Sequence, residues 1–304
     1  FPEGLYVQVS SISDLFAIQS MSPVRAILEL NFETKNDLVN KKTVLPFSKK
    51  QIIISLNPYC PESSANELLD VLNYLVEDGF KSFIVNNVAH IGMLKNKNVN
   101  MIAGPYLYTF NRWAVSWLEN QNIGAFITPQ ENSRKNLNLT FDQNVRDRVM
   151  VTAYAYPALF RMRFKMPADY DFMYFWDKEE TPFKVLSNPD GAVVMPEYPF
   201  SILDRVDQLK KDGIKRILID FSRCKVSRQE IKLVMNSMLK LQPIQNCSRF
   251  NWKDGFYNPE KIEAFKAATD KNYQKNDRIK SNGSNYSRGI NKYSKNIFKK
   301  GRKR

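Results

Sequence analysis

The sequence predicts an α/β fold: a (β/α)8 TIM-like barrel with an inserted β-hairpin and aromatic flap, followed by a disordered basic C-terminal tail. Three observations carry this. Eight short apolar segments recur, at residues 5–9, 26–30, 51–56, 81–85, 101–103, 125–128, 148–154 and 216–221. Helix-forming segments separate most of them, clearly after the third, fifth, seventh and eighth and weakly after the second, fourth and sixth. The third segment, with Ile52, Ile53 and Ile54 in a row, is continuously apolar, as a strand covered on both faces is. Eight such repeats suit a closed barrel. A doubly wound open sheet is the alternative, but no G-x-G-x-x-G follows the first strand, so nothing supports a dinucleotide site.

After the first strand, Ser10, Ser13 and Asp14 mark a helix start, with Leu15, Phe16 and Ile18 as its apolar face. Residues 31–50 are polar, with one irregular helix near 35–39. Residues 61–78 form the best helix. Ser64 and Glu67 have the spacing of a capping box, and Leu68, Leu69, Val71, Leu72, Leu75 and Val76 form an apolar stripe. Gly79 stands where a left-handed cap is wanted.

Residues 86–131 organise the chain. Two short strands bracket a helix led by Asn111, and the first strand exits through Gly104-Pro105-Tyr106. Residues 130–147 are weakly helical. Residues 155–180 are irregular and dense in aromatics, from Tyr156 and Phe160 to Tyr174 and Trp176. They read as a packed flap, or alternatively as a base-stacking surface. Asn188-Pro189-Asp190-Gly191, between apolar runs at 183–186 and 192–195, is a hairpin signal. A helix at 201–211 stops at Asp212-Gly213, and Ser227 and Glu230 repeat the capping-box spacing before a helix to Leu241.

The domain boundaries expected are a barrel over 1–245, a loop and short helix over 246–270, and a tail over 271–304. The charge is segregated. Of the net +14, residues 271–304 carry eight Lys, four Arg and one Asp, a net +11, leaving +3 for the rest. That tail has too few aliphatic residues to offset chain entropy, so disorder is expected. Its cations are Lys271, Lys275, Arg278, Lys280, Arg288, Lys292, Lys295, Lys299, Lys300, Arg302, Lys303 and Arg304, interleaved with Tyr273, Tyr286, Tyr293 and Phe298. This is the make-up of an RNA-binding arm, with a merely solubilising tail as the alternative. No apolar run approaches the roughly 20 residues of a membrane helix, so no membrane partner is expected. Three scattered cysteines, Cys60, Cys224 and Cys247, suit a reducing compartment and a cytoplasmic location, and lack zinc spacing. The chain opens on Phe1 rather than Met, and we expect it to be a piece of a longer polypeptide or a processed chain.

Barrel chemistry sits at the C-terminal ends of strands. Glu29, Asn57, Asn86, Asn87, Glu131, Tyr154 and Asp220 fall there. Glu131 and Asp220 suit a general acid and base pair, or the capping and ion pairing common at such positions. Asn111 reads as a helix N-cap. His90 is the only histidine, so any Ser or Cys nucleophile would need it as base, and a His-rich metal site is excluded. No metal site is expected.

Several segments carry a resemblance. Tyr108-Thr109-Phe110-Asn111-Arg112-Trp113, then Leu118, Gly124 and Ile127-Thr128-Pro129-Gln130-Glu131, resemble a pattern in the collagenase-like peptidases of family U, number thirty-two. There a strand leads to N-x-x-F-N-S, a helix, a Gly and L-S-x-E-L. Val151-Thr152-Ala153-Tyr154 with Pro157-Ala158-Leu159 resembles that family's V-x-G-R-L-P-L-M strand. Residues 177–194 resemble its hairpin, and residues 203–221, with Gly213 and Asp220, its last strand-leading segment. The resemblance spans residues 84–240 and matches Asn111, Glu131, Gly213 and Asp220 to family positions.

The resemblance implies a barrel and one of two activities. Members are named as peptidases, while several resemble iron–sulfur proteins that take part in hydroxylating RNA or the ubiquinone ring. Those hold a cluster on cysteines that begin after the L-P-L-M strand. Here Met166-Pro167 stands where the first Cys-Pro would be, and no Cys follows before Glu180. Four thiolates are the usual ligand set, so this chain alone is expected to hold no cofactor, and an Fe–S cluster would have to sit on another domain or subunit. The expected function is a barrel domain of a larger protein working on RNA, in its hydroxylation or another modification. The alternatives are a collagenase-like peptidase using Glu131, Asp220 and His90, and a non-catalytic scaffold that binds a protein partner or upstream domain.

Overall fold

The computed structural model describes residues 1–40, 43–164, 166, 174–176, 182–188 and 191–247. The chain clusters into two units, Phe1–Tyr257 and Asn258–Arg304, and only residues of the first are described. The basic tail and most of the expected 246–270 segment therefore lie outside the described residues.

Eight parallel strands form the barrel: β1 (Gly4–Val9), β2 (Arg25–Leu30), β3 (Ile52–Leu56), β4 (Ser82–Val85), β5 (Asn100–Ala103), β6 (Ile123–Ile127), β7 (Val149–Ala155) and, after five further strands, β13 (Arg216–Asp220). Each pairs with the next, β6 with β7 through Phe126 and Val149, and β13 lies between β7 and β1, which closes the sheet. The chain is a (β/α)8 barrel. All eight strands fall on the segments expected from the sequence, within about two residues.

The helices cover the outside. They are α1 (Ile12–Ala17), α2 (Phe32–Val39), α3 (Ala65–Glu77), α4 (Val88–Leu94), α5 (Arg112–Glu119), α6 (Arg134–Thr140), α7 (Gln143–Arg146), α8 (Val206–Lys211) and α9 (Arg228–Lys240). Short polar side chains start most of them. Asn111 caps α5 by accepting from the N–H of Ala114 at 2.9 Å. Ser11, rather than Ser10 or Ser13, caps α1. Asn31 and Thr34 form the reciprocal capping box of α2. The box expected at Ser64 and Glu67 does not form. Ser64 Oγ donates instead to the carbonyl of Pro61, and Glu67 pairs with Lys35 of α2. At α9 half the box forms, Ser227 accepting from the N–H of Glu230.

Gly79 and Gly213 stop α3 and α8. Both have left-handed φ, +103° and +88°, and both give the paired bonds of a Schellman turn. Phe80 N–H reaches Leu75 and Gly79 N–H reaches Val76; Ile214 N–H reaches Leu209 and Gly213 N–H reaches Lys210. Gly213 thus serves as a helix stop.

Within the stretch expected to be irregular, the described residues form strands. β8 (Phe160–Met162), β9 (Tyr174–Trp176), β10 (Pro182–Asn188) and β11 (Gly191–Pro196) make a four-stranded antiparallel sheet in the order β8-β11-β10-β9. Asn188 pairs with Gly191, as the hairpin signal requires. The expectation of packed aromatics fails for four of them: Phe160 and Trp176 are each 67% exposed, and Phe164 and Tyr174 are also exposed. β12 (Phe200–Ser201) then runs antiparallel to β7 before the chain enters α8.

Inside the barrel, one layer is apolar. Tyr6, Ile27, Ile53, Ile84, Ile102, Ala125, Met150 and Leu218 supply one side chain from each strand. Residues 1–3 cover the lower end: Tyr6 donates its hydroxyl to the Pro2 carbonyl at 2.6 Å, and Arg216 donates twice to that of Phe1. Among the described residues no helix is long and apolar enough to cross a membrane.

Candidate functional site

Two residues above the apolar layer, the same inward period of two places a polar side chain on or just past six strands. The pairs are Tyr6 and Gln8, Ile27 and Glu29, Ile53 and Ser55, Ile84 and Asn86, Met150 and Thr152, and Leu218 and Asp220. All six upper residues line a cavity of about 300 Å3 at the C-terminal mouth of the barrel. Glu131, on the loop after β6, also lines it, as do Tyr106 after β5, Arg223 after β13, and Phe160 and Arg161 of the antiparallel sheet. The inserted sheet therefore forms one wall of the mouth.

The carboxylates differ in their bonding. Asp220 accepts from the N–H of Ser222 at 2.8 Å and from Arg223 Nη1 at 3.5 Å. Glu29 and Glu131 make no side-chain hydrogen bond or ion pair among the described residues, and Glu131 is exposed. The Arg223 side chain is only 9% exposed. Desolvation works against its charge, but Tyr106, Asp220 and Glu29 around it together outweigh that and hold it even more firmly protonated than an ordinary guanidinium. Two arginines pin the inserted sheet to barrel loops. Arg161 donates from Nε to the Tyr106 hydroxyl at 3.1 Å, and the Arg163 guanidinium lies 4.4 Å from the Tyr59 ring centre.

The structure thus brings together Glu29, Asn86, Glu131 and Asp220 of the expected set. Asn57 lines an adjoining cavity. Asn87 caps α4 by accepting from the N–H of Ala89. Asn111, exposed and capping α5, does not line the mouth.

His90 is a correction. It lies on α4, is fully buried, and its Nδ1 accepts from the backbone N–H of Asn86 at 3.3 Å. Burial lowers its pKa to about 4. It does not line the mouth, so it is no base for a nucleophile there. Tyr154 is a second correction. Simple alternation after Met150 and Thr152 would aim it into the mouth. The register slips between Leu218 and Ile219, whose partners are Thr152 and Tyr154, so Ala153 is a bulge. Tyr154 turns outward, packs on Phe221, and donates its hydroxyl to Glu230 of α9.

Arg161, Arg223, Gln8, Ser55 and Thr152 join the mouth without having been expected from the sequence. A signal for the last three does exist there: a polar residue two places after a buried apolar one on a predicted strand.

The resemblance raises the fit of an iron–sulfur cluster. The three cysteines do not fit one. Cys224 and Cys247 turn their sulfurs to the carbonyls of Phe221 and Ile244, and Cys60 sits on the loop after β3. Among the described residues no three His, Cys, Asp or Glu side chains come together to hold a metal ion.

No family model matches the chain. No curated protein matches it. Among solved structures, the chain is similar to the crystal structure of the Bacillus cereus spore cortex-lytic enzyme SleL. The identity is 11%, the TM-score 0.36, and the match covers 81% of this chain and 75% of that one.

Proposed function

We propose that this chain is a hydrolytic barrel domain that acts on a peptide bond at its mouth, with Glu131 and Glu29 as the carboxylates that touch substrate. The observation that supports this is the pair's freedom. Both line one cavity at the end of a (β/α)8 barrel where chemistry is done, and neither is bonded to the described residues. In this reading one carboxylate takes a proton from water as the oxygen bonds to the carbonyl carbon. The other, protonated, delivers a proton to the leaving nitrogen as the C–N bond breaks. Asp220, anchored by Ser222 and Arg223, positions Arg223 rather than reacting. The peptide substrate comes from the resemblance to the collagenase-like peptidases of family U, number thirty-two, carried by Glu131 and Asp220. His90 has no part in it.

The test is cleavage of gelatin and of short peptides by wild type, Glu131→Gln and Glu29→Gln. A loss of about 10²–10⁴-fold in kcat/KM is expected for each. Wild-type cleavage no greater than that of Glu131→Gln sinks the reading.

A second reading, a barrel domain working on RNA within a larger protein, is favoured by the net +11 of residues 271–304. Filter binding of RNA at low salt, with and without residues 271–304, tests it. Equal retention of both forms would remove the tail from the argument, and no retention of either would remove RNA.

A further inference from the structure

A second cavity, of about 220 Å3, adjoins the mouth and shares Glu29, Arg161 and Arg223 with it. One wall is the inserted sheet, through Arg161, Arg163 and Val193. The other is built from loops after β1, β3 and β13 and the start of α2, and includes Ser11, Asn57 and Ser222.

The bonding in this cavity is lopsided. Ser222 is 7% exposed, and its Oγ is buried with no partner among the described residues. Arg223, with 9% of its side chain exposed, uses one N–H on Asp220, and its Nε and Nη2 have no acceptor among the described residues. Arg163 stacks on Tyr59 and has no acceptor there either. Guanidiniums donate only, so acceptors must come from elsewhere. Two carboxylates also line the cavity. Glu29 faces Arg223, and Glu33 is exposed in the first turn of α2. They leave these N–H groups without a bonded acceptor, and the buried Ser222 hydroxyl carries the cost of an unsatisfied polar group.

We propose that this cavity is a subsite for an anionic oxygen group of the ligand, a carboxylate or a phosphate, received by Arg223, Arg163 and Ser222. Planar, acceptor-rich oxyanions match the fork of an arginine. The volume admits one such group with a few attached atoms. The inference deepens the proposed function and rests on the mouth being the functional site: a ligand anchored here would lay its neighbouring bond across Glu29 toward Glu131. On the proposed function the anchor is the terminal carboxylate of a peptide, and binding of phosphates alone is the outcome that would point to RNA instead.

The test is equilibrium binding to the full chain, followed by calorimetry and by chemical shifts. The probes are inorganic phosphate, a nucleoside monophosphate, an N-acetylated tripeptide acid, and the same tripeptide as its amide. The acid or the phosphates should bind, and the amide should not. Arg163→Gln, at an exposed position, and Ser222→Ala should each weaken binding about tenfold, as loss of one charge-assisted or buried hydrogen bond does. Arg223→Lys keeps the charge but loses the fork, and should weaken it too. Saturation by the phosphates alone assigns a phosphate, and by the acid alone a carboxylate; either upholds the subsite. Equal binding of acid and amide together with no phosphate binding overturns it. So does unchanged affinity in Arg163→Gln and Ser222→Ala. Anion binding by a wild type that cleaves nothing upholds the subsite while removing the hydrolytic reading.

Discussion

Gly104 exists to make room for Asn86. A β-carbon at Gly104 would lie 1.8 Å from Asn86 Oδ1 and 2.8 Å from Ile84 Cγ2. The side chain of Asn86, nearly fully buried, fills that space and donates from Nδ2 to the Leu56 carbonyl at 2.8 Å, tying β4 to β3 beneath the mouth. Gly104 has an ordinary negative φ, so the requirement is for absent atoms, not for an unusual backbone.

The first prediction follows. Gly104→Ala should destabilise the fold by about 1–3 kcal/mol through overpacking, read as a lower midpoint in urea. Adding Asn86→Ala should recover part of that loss, since the two positions share one space. Additive losses would mean that the contact is not what constrains position 104.

His90 makes stability depend on pH. Its pKa is lowered from 6.5 to about 4 by burial, so the unfolded chain binds a proton between those values and the folded chain does not. Stability is fully present above about pH 6.5 and is lost as pH falls through about 4. Between pH 7 and 5 the loss from this group should be roughly 2 kcal/mol. Urea unfolding of wild type and His90→Gln at both pH values checks it. The variant keeps an acceptor for the Asn86 N–H and should show a smaller change. An equal change in both proteins would assign the effect to other groups.

Gly213, one of the positions on which the sequence resemblance rests, acts as a helix stop. Gly213→Ala at φ +88° should cost about 1 kcal/mol and leave kcat and KM of any activity found unchanged. Thermal unfolding and kinetics on the same preparation separate the two. A kinetic defect without a stability loss would contradict the structural role.

Tyr154→Phe removes the hydroxyl that Glu230 accepts from. A loss of about 1–2 kcal/mol is expected, with no change at the mouth. Burial and the Glu230 carboxylate raise the phenol's pKa well above that of a free tyrosine. Ultraviolet titration of the folded protein should therefore show this tyrosine still protonated where ordinary ones ionise. A wild type and a Tyr154→Phe variant that differ in the ordinary alkaline range would refute it.

Much of the fold is legible in the sequence because the barrel's signals are local. Apolar runs such as Ile52-Ile53-Ile54, the glycines at 79 and 213, and the cap at Asn111 each act within a few residues, so the chain itself states them. The capping box at Ser64 fails because the Ser64 N–H is taken by the Pro61 carbonyl, while Glu67 pairs with Lys35, 32 positions away. Strand ends are also readable from periodicity, and they place Glu29, Asn86, Glu131 and Asp220 near the mouth from the residue pattern alone.

What the sequence by itself determined was the strand and helix order, hence the barrel, and the end at which its polar side chains gather. Only the tertiary structure decided which of them face one another. The bulge at Ala153 turns Tyr154 from the mouth to α9, because one extra residue inverts a period-two pattern. The inserted sheet brings Arg161 to Tyr106, 55 residues away, and Arg163 to Tyr59. Arg223 ends among Asp220, Glu29 and Tyr106 because closure turns the ends of β13, β2 and β5 toward one mouth. Periodicity reports what each residue does to its own segment. Charge pairing and cavity walls depend on closure, which no local pattern encodes.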